Sequence, residues 1–149
     1  MDLAKNWKDY EILDASLGMK YERWGKVYLL RPDPQIIWDN GDLREKYKDK
    51  INAIYYRSNK GGGHWENLKK TPISWKISYD SLTFNIKQMG FKHTGLFPEQ
   101  AYNWDFIMNK IKSSNRKIRV LNLFAYTGGA TIAALKAGAH VTHVDSSRG

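Results

Sequence analysis

The stretch that most constrains this chain is "RVLNLFAYTGGATIAALKAGAHVTHVD", residues 119–145. Its opening, with "IRVLNLF" almost unbroken in apolar residues, has the pattern of a strand covered on both faces. Thr127-Gly128-Gly129 then opens "GATIAALKAG", a helix that Gly138 is placed to close in a left-handed cap. The alanines at 130, 133, 134 and 137 are small enough for that helix to lie close on a sheet. "HVTHVD" follows as a second strand. A strand, a crossover helix and a strand make a parallel pair, so the expected fold class is α/β.

The same stretch predicts a ligand. Asp145 stands 17 residues after Gly128, at the end of the second strand. An acid near that spacing reaches the carboxyl edge of the sheet and can accept hydrogen bonds from ribose hydroxyls. An adenosine-bearing ligand is the expectation. A dinucleotide fold needs G-x-G-x-x-G so that the backbone can approach a pyrophosphate, and at that spacing this turn has Ala125, Thr127 and Ala130. The glycines of "KGGGHW" lack the lysine and hydroxyl of a phosphate loop, so nucleoside triphosphates also lose support.

The first ninety or so residues read differently. Ile73, Trp75, Ile77 and Tyr79 alternate with polar residues, as do Leu82, Phe84 and Ile86. With the turn signal Asp80-Ser81 between them, 73–87 is expected to be a hairpin. "MKYERWGKVYLL" and "INAIYYR" are further strand candidates, separated by "RPDPQ" and the charged "DNGDLREKYKDK". After Phe97, Pro98 suits the first turn of a helix, and Ala101, Trp104, Met108 and Ile111 recur at helical spacing, which predicts an amphipathic helix over 98–112. The chain thus divides into a β-rich amino-terminal module, 1–92, and the start of a Rossmann-like domain, 93–149.

Composition narrows the chemistry. No cysteine is present, which rules out disulfides, thiolate zinc sites and cysteine nucleophiles. The net charge of +9 suits a polyanionic partner through counterion release, although a solvated lysine-rich face would carry the same charge. The start, "MDLAKNWKDYEILD", has no apolar core of signal-peptide length, and a soluble, cytoplasmic protein is expected.

At "LNLFAYTGG" the sequence resembles the class I S-adenosylmethionine-dependent methyltransferases, in particular the bacterial large-subunit ribosomal-RNA methyltransferase-like group. The common class I pattern has glycines where Phe124 and Tyr126 stand, and an acid at Asn122; this group carries Asn and aromatics instead. The resemblance runs upstream through "RPDPQIIW", "YYRSNKGGGHWE" and "GFKHTGLFPEQAYNW". It implies S-adenosylmethionine as cofactor, held by Gln100, Asn122, Phe124, Ala125, Tyr126, Thr127, Gly128 and Asp145, with a contribution from Phe97. The expected function is methyl transfer to ribosomal RNA. The family continues well past the position of Gly149, through the segment that lines the methyl-transfer site, so the chain is expected to match the amino-terminal part of such an enzyme and to be inactive alone. No catalytic residue is assigned.

Two other functions fit parts of the sequence. A nicotinamide oxidoreductase shares the ribose acid but needs the missing glycines, and a non-catalytic RNA-binding module would explain the charge. His140 and His143, three apart on a strand, point to opposite faces, which favours strand-end packing over a metal pair. His93 suits either pocket polarity or plain exposure. Gly61 to Gly63 suit a mobile hairpin tip.

Overall fold

The computed structural model describes residues 4–147. By internal contacts the chain divides into two compact units, one of Trp7–Ser78 with Asn85–Gly95, the other of Met1–Asn6, Tyr79–Phe84 and Leu96–Gly149. No helix among the described residues is long and apolar enough to cross a membrane.

The first unit is a five-stranded sheet in sequential order: β1 (Tyr10–Ser16), β2 (Met19–Trp24), β3 (Val27–Pro32), β4 (Ala53–Arg57) and β5 (Gly63–Asn67). Neighbours are antiparallel except β3 and β4, which run parallel. Leu17-Gly18 joins β1 to β2 with both residues left-handed, the conformation a two-residue hairpin favours. The sequence pattern did not reveal β1, because a bulge between Ile12 and Asp14 shifts its register and breaks the alternation. It also missed β5, whose one large apolar residue is Trp65; pairing with β4 makes it a strand. Between β4 and β5 the glycines form the hairpin tip, Gly61 and Gly62 both left-handed.

Both faces of the central strands are buried. On one, Tyr21, Leu30 and Ile54 pack with Ile51 and with Leu43 of the short helix α1 (Leu43–Lys46). On the other lie Trp24, Leu29 and a buried ion pair, Glu22 with Arg31. The guanidinium donates through Nε to Glu22 Oε2 at 2.6 Å and through Nη2 to Oε1 at 2.8 Å. The Tyr10 hydroxyl donates to the same carboxylate at 2.7 Å. Arg31 Nη1 donates to the Lys92 carbonyl at 2.9 Å, and its guanidinium lies 5.0 Å from the Trp24 ring centre. Such a pair is tolerated in an interior only when its polar atoms are this well used.

A hairpin of β6 (Trp75–Tyr79) and β7 (Leu82–Ile86) turns at Asp80, and its residues are divided between the two units. Ile77, Tyr79, Leu82, Phe84 and Ile86 are buried, as their alternation predicts. Ile73 departs from the expected pattern at 94% exposure. The strand begins two residues later, because Pro72 has no N–H to offer a ladder and Ile73 falls outside the pairing.

In the second unit a 3-10 turn, Pro98–Gln100, leads into α2 (Ala101–Lys112), which buries Ala101, Trp104 and Met108 on one face. The Trp104 ring lies 5.7 Å from that of Tyr79 and 4.8 Å from that of Phe84. Then come β8 (Arg119–Leu123), α3 (Gly129–Lys136) and β9 (His140–Val144), with β8 and β9 parallel and in register from Arg119↔His140 to Leu123↔Val144. Gly138 is left-handed after α3, as expected. The apolar run of β8, however, is not covered on both faces: Leu121 is 61% exposed and Leu123 53%. A two-stranded parallel sheet with α3 packed on it hides only the residues that face the helix.

Candidate functional site

The turn after β8 carries the feature that sequence alone could not show. Phe124 and Tyr126 have φ of 54° and 52°, and Gly128 has φ of 91°. Left-handed backbone is costly for residues with a Cβ, about 1–2 kcal/mol each. The aromatics thus occupy glycine-like backbone without being glycine, and the strain is held by hydrogen bonds. The Ala125 N–H donates to the Val144 carbonyl at 3.1 Å, and the Gly128 N–H to the Ala125 carbonyl at 3.0 Å. Asp145 completes the set, its Oδ2 accepting from the Tyr126 N–H at 2.7 Å and its Oδ1 from the Ser147 N–H at 2.8 Å. The N–H groups of Ser147 and Tyr126 hold the Asp145 carboxyl below the usual carboxylate range.

A cleft of about 320 Å³ opens beside this turn, lined by Leu96, Phe97, Gln100, Trp104, the segment 122–127, Gly129 and Ala130. Six of the eight sequence-predicted residues are thus brought together: Gln100, Asn122, Phe124, Ala125, Tyr126 and Thr127. Phe97 joins them, its ring 5.1 Å from that of Tyr126. Gln100 Oε1 accepts from Asn103 Nδ2 at 2.9 Å. Asp145 is not among the lining residues and braces the turn through the Tyr126 N–H. Gly128 is buried at the helix start and is not among the lining residues. A Cβ there would come 3.4 Å from the His143 ring, and the left-handed φ would strain it further. The neighbouring Gly129 answers a packing need, since a Cβ would stand 3.1 Å from the Trp104 ring.

None of the residues that line the cleft is charged, although the chain as a whole carries +9. Aromatic and amide groups supply its chemistry. Thr131 was not picked out by sequence, and His143 only for strand-end packing: Asn122 Nδ2 donates to Thr131 Oγ1 at 2.9 Å, and Thr131 Oγ1 lies 2.9 Å from His143 Nδ1. The strand register that pairs Asn122 with His143 makes this contact, so no local motif could signal it. His140 and His143 are both exposed, and His143, next to the end of β9, packs on Thr131.

A second cleft, within the five-stranded unit, is lined by Tyr21, Tyr28 and Tyr47 together with Lys26, Lys50 and Lys69. Tyr21 stacks on Tyr47 at 4.2 Å and on Tyr28 at 5.9 Å. Burial pushes the Tyr21 hydroxyl up to about 12.

No protein-family model matches the chain. Curated relatives do. The ribosomal RNA large subunit methyltransferase K/L of Colwellia psychrerythraea is 31% identical over 100 residues, 66% of this chain and 13% of the relative. That of Allochromatium vinosum is 38% identical over 93 residues, 62% of this chain and 12% of the relative. Among solved structures, the SAM-dependent methyltransferase of Agrobacterium tumefaciens superposes with a TM-score of 0.87 at 34% identity, covering 95% of this chain and 45% of that one. The chain therefore spans less than a sixth of either of these curated relatives and under half of the solved structure. In sequence and in fold it is similar to S-adenosylmethionine-dependent methyltransferases, over one part of their length.

Proposed function

We infer that the cleft beside 122–127 binds S-adenosylmethionine, and that the chain serves a methyltransferase acting on ribosomal RNA in the cytoplasm. The observation that carries this is the uncharged, aromatic wall at the carboxyl end of a parallel strand pair. A dinucleotide or triphosphate site needs donors and cations for its phosphates. A sulfonium with an amino-acid end needs aromatic faces and a neutral acceptor, and Phe97, Phe124, Tyr126 and Asn122 are of that kind. The methyltransferase relatives favour the same choice over a nicotinamide enzyme.

In this reading Asn122 accepts from the ammonium group, the turn backbone approaches the ligand, and Gln100 closes the entrance. Asp145 uses one lone pair of each oxygen on the backbone and keeps the others for ribose hydroxyls. Bound there, the cofactor would supply a methyl group already activated on sulfur, and the chain's residues hold and orient it. Residues 93–149 form the opening part of the cofactor domain and 1–92 a separate module for RNA. The tyrosine-and-lysine cleft supports the RNA assignment, since stacking faces and ammonium groups are what a single strand requires.

Titration with S-adenosylhomocysteine against NADH, followed by NMR so that millimolar binding is visible, tests the cofactor. S-adenosylhomocysteine shifting resonances of 122–127 is the expected result; a response to NADH alone would overturn the reading. Methyl incorporation into ribosomal RNA by a longer protein containing this chain tests the reaction.

A further inference from the structure

We propose that Thr131 and His143 are positioning residues that fix the orientation of the Asn122 amide, so that its carbonyl rather than its NH₂ is turned to the cleft. The inference rests on the cofactor reading only for the identity of the ligand group, an ammonium. The orientation follows from counting protons.

The Thr131 hydroxyl has one proton and two lone pairs. Its oxygen is 2.9 Å from both Asn122 Nδ2 and His143 Nδ1. When the imidazole is neutral with its proton on Nε2, Nδ1 is an acceptor and takes the hydroxyl proton. The hydroxyl can then only accept from Asn122, which obliges the amide nitrogen to face Thr131. Asn122 lines the cleft, and its Oδ1 is the polar atom left to face it. A ligand cation meets an acceptor in that arrangement, and would meet a donor if the amide were turned over.

Each partner comes from a different element: Asn122 from β8, Thr131 from α3 and His143 from β9. The β8–β9 register places Asn122 opposite His143, and Thr131 closes the chain from the helix above. Gly128 also borders the imidazole, and the Asp145 carboxylate lies two residues along the chain. If His143 is protonated on Nδ1 it donates to Thr131. The hydroxyl proton is then free, and the amide can be held either way up.

The first test needs no ligand. Two-bond ¹H–¹⁵N spectra of the chain at about pH 8, where an ordinary imidazole is neutral, should show His143 Nδ1 unprotonated. The Asn122 NH₂ resonances should be resolved and should shift in Thr131→Val. A proton on Nδ1 at that pH, or Asn122 resonances unmoved in Thr131→Val, would overturn the proposal whatever the chain binds.

The second test compares two ligands, S-adenosylhomocysteine and methylthioadenosine, which lacks the amino-acid end. Thr131→Val should weaken the first roughly tenfold, the value of one hydrogen bond to a charged group, and leave the second unchanged. Thr131→Ser, which keeps the hydroxyl, should restore binding of the first. Equal loss of both ligands would show a merely structural role. If the wild-type chain bound neither, the cofactor reading would fail, and the spectra alone would decide the orientation.

Discussion

Two of the three sheets, β1–β5 and β8–β9, end in different conditions. The five-stranded sheet has its central strands buried on both faces, to the extent that a glutamate and an arginine lie inside it at 0% and 5% exposure. The β8–β9 pair is a two-stranded parallel sheet, and it leaves Leu121, Leu123 and Val144 in solvent. The five-stranded sheet joins β1, β2 and β3, and likewise β4 and β5, as antiparallel neighbours through short turns, with β3 and β4 paired in parallel. A parallel sheet gains each strand only through a long crossover, so a single β-α-β covers one face and leaves the other bare. The first sheet is closed by its interior; the second is organised around its turn.

The sharpest way to break this comparison is at the buried ion pair. Glu22→Leu leaves the Arg31 guanidinium buried without its partner, and should destabilise the five-stranded unit by about 3–5 kcal/mol in urea denaturation. A loss below about 1 kcal/mol, the range of exposed pairs, would mean that the sheet is not closed as described. Acid should act in the same direction. Burial pushes the Glu22 carboxyl up, but Arg31, Lys20 and the Tyr10 hydroxyl outweigh it and hold the group below the usual range. A depressed folded-state pKa gives stability that is complete above the unfolded value, about 4.3, and lost as pH falls through the folded one. Thermal melts from neutral pH down should show the loss in wild type and little of it in Glu22→Leu.

A smaller effect is expected where the parallel pair is covered. Gly129→Ala sets a methyl 3.1 Å from the Trp104 ring, which is 2% exposed and wedged against Tyr79 and Phe84. Overpacking there should cost about 1–3 kcal/mol, and Trp104→Phe in the same chain should recover part of it. A more stable Gly129→Ala would show that helix propensity outweighs the contact.

The turn should give a gain. Phe124 is 91% exposed and left-handed, so Phe124→Gly relieves strain without losing buried contacts. The greater freedom of glycine in the unfolded chain offsets part of this, and the net should lie between zero and about 1 kcal/mol of stabilisation. Affinity for S-adenosylhomocysteine should fall in the same variant if the ring is a wall of the site. A stability loss above about 1 kcal/mol would show that the exposed ring has a structural partner.

The smallest effect belongs to the bare face. Leu121→Lys should change stability by less than about 0.5 kcal/mol while improving solubility, and amides of β8 and β9 should exchange with deuterium before those of β2 and β3. A large loss of stability would mean that Leu121 is covered in solution.

The sequence by itself determined the elements whose signals are local. The hairpin of β6 and β7 was legible from alternation, α2 from its i, i+3 and i+4 apolar positions after Pro98, and the β-α-β from an apolar run, a glycine pair and Gly138. Six of the eight residues expected at the site line one cleft because they sit within one turn or directly before one helix, where chain order enforces proximity. Tertiary structure decided what depends on strands meeting across the sheet. β1 hid behind a bulge, β5 behind a composition that only pairing could rescue, and the Glu22–Arg31 pair behind the ordinary look of two charged residues. The left-handed backbone at Phe124 and Tyr126 was invisible because aromatics do not choose it; the hydrogen bonds that the Ala125 and Tyr126 N–H groups donate to Val144 and Asp145 hold it. The contact of Asn122, Thr131 and His143 exists only because β8 and β9 lie in register beneath α3, a property of the packed sheet rather than of any segment.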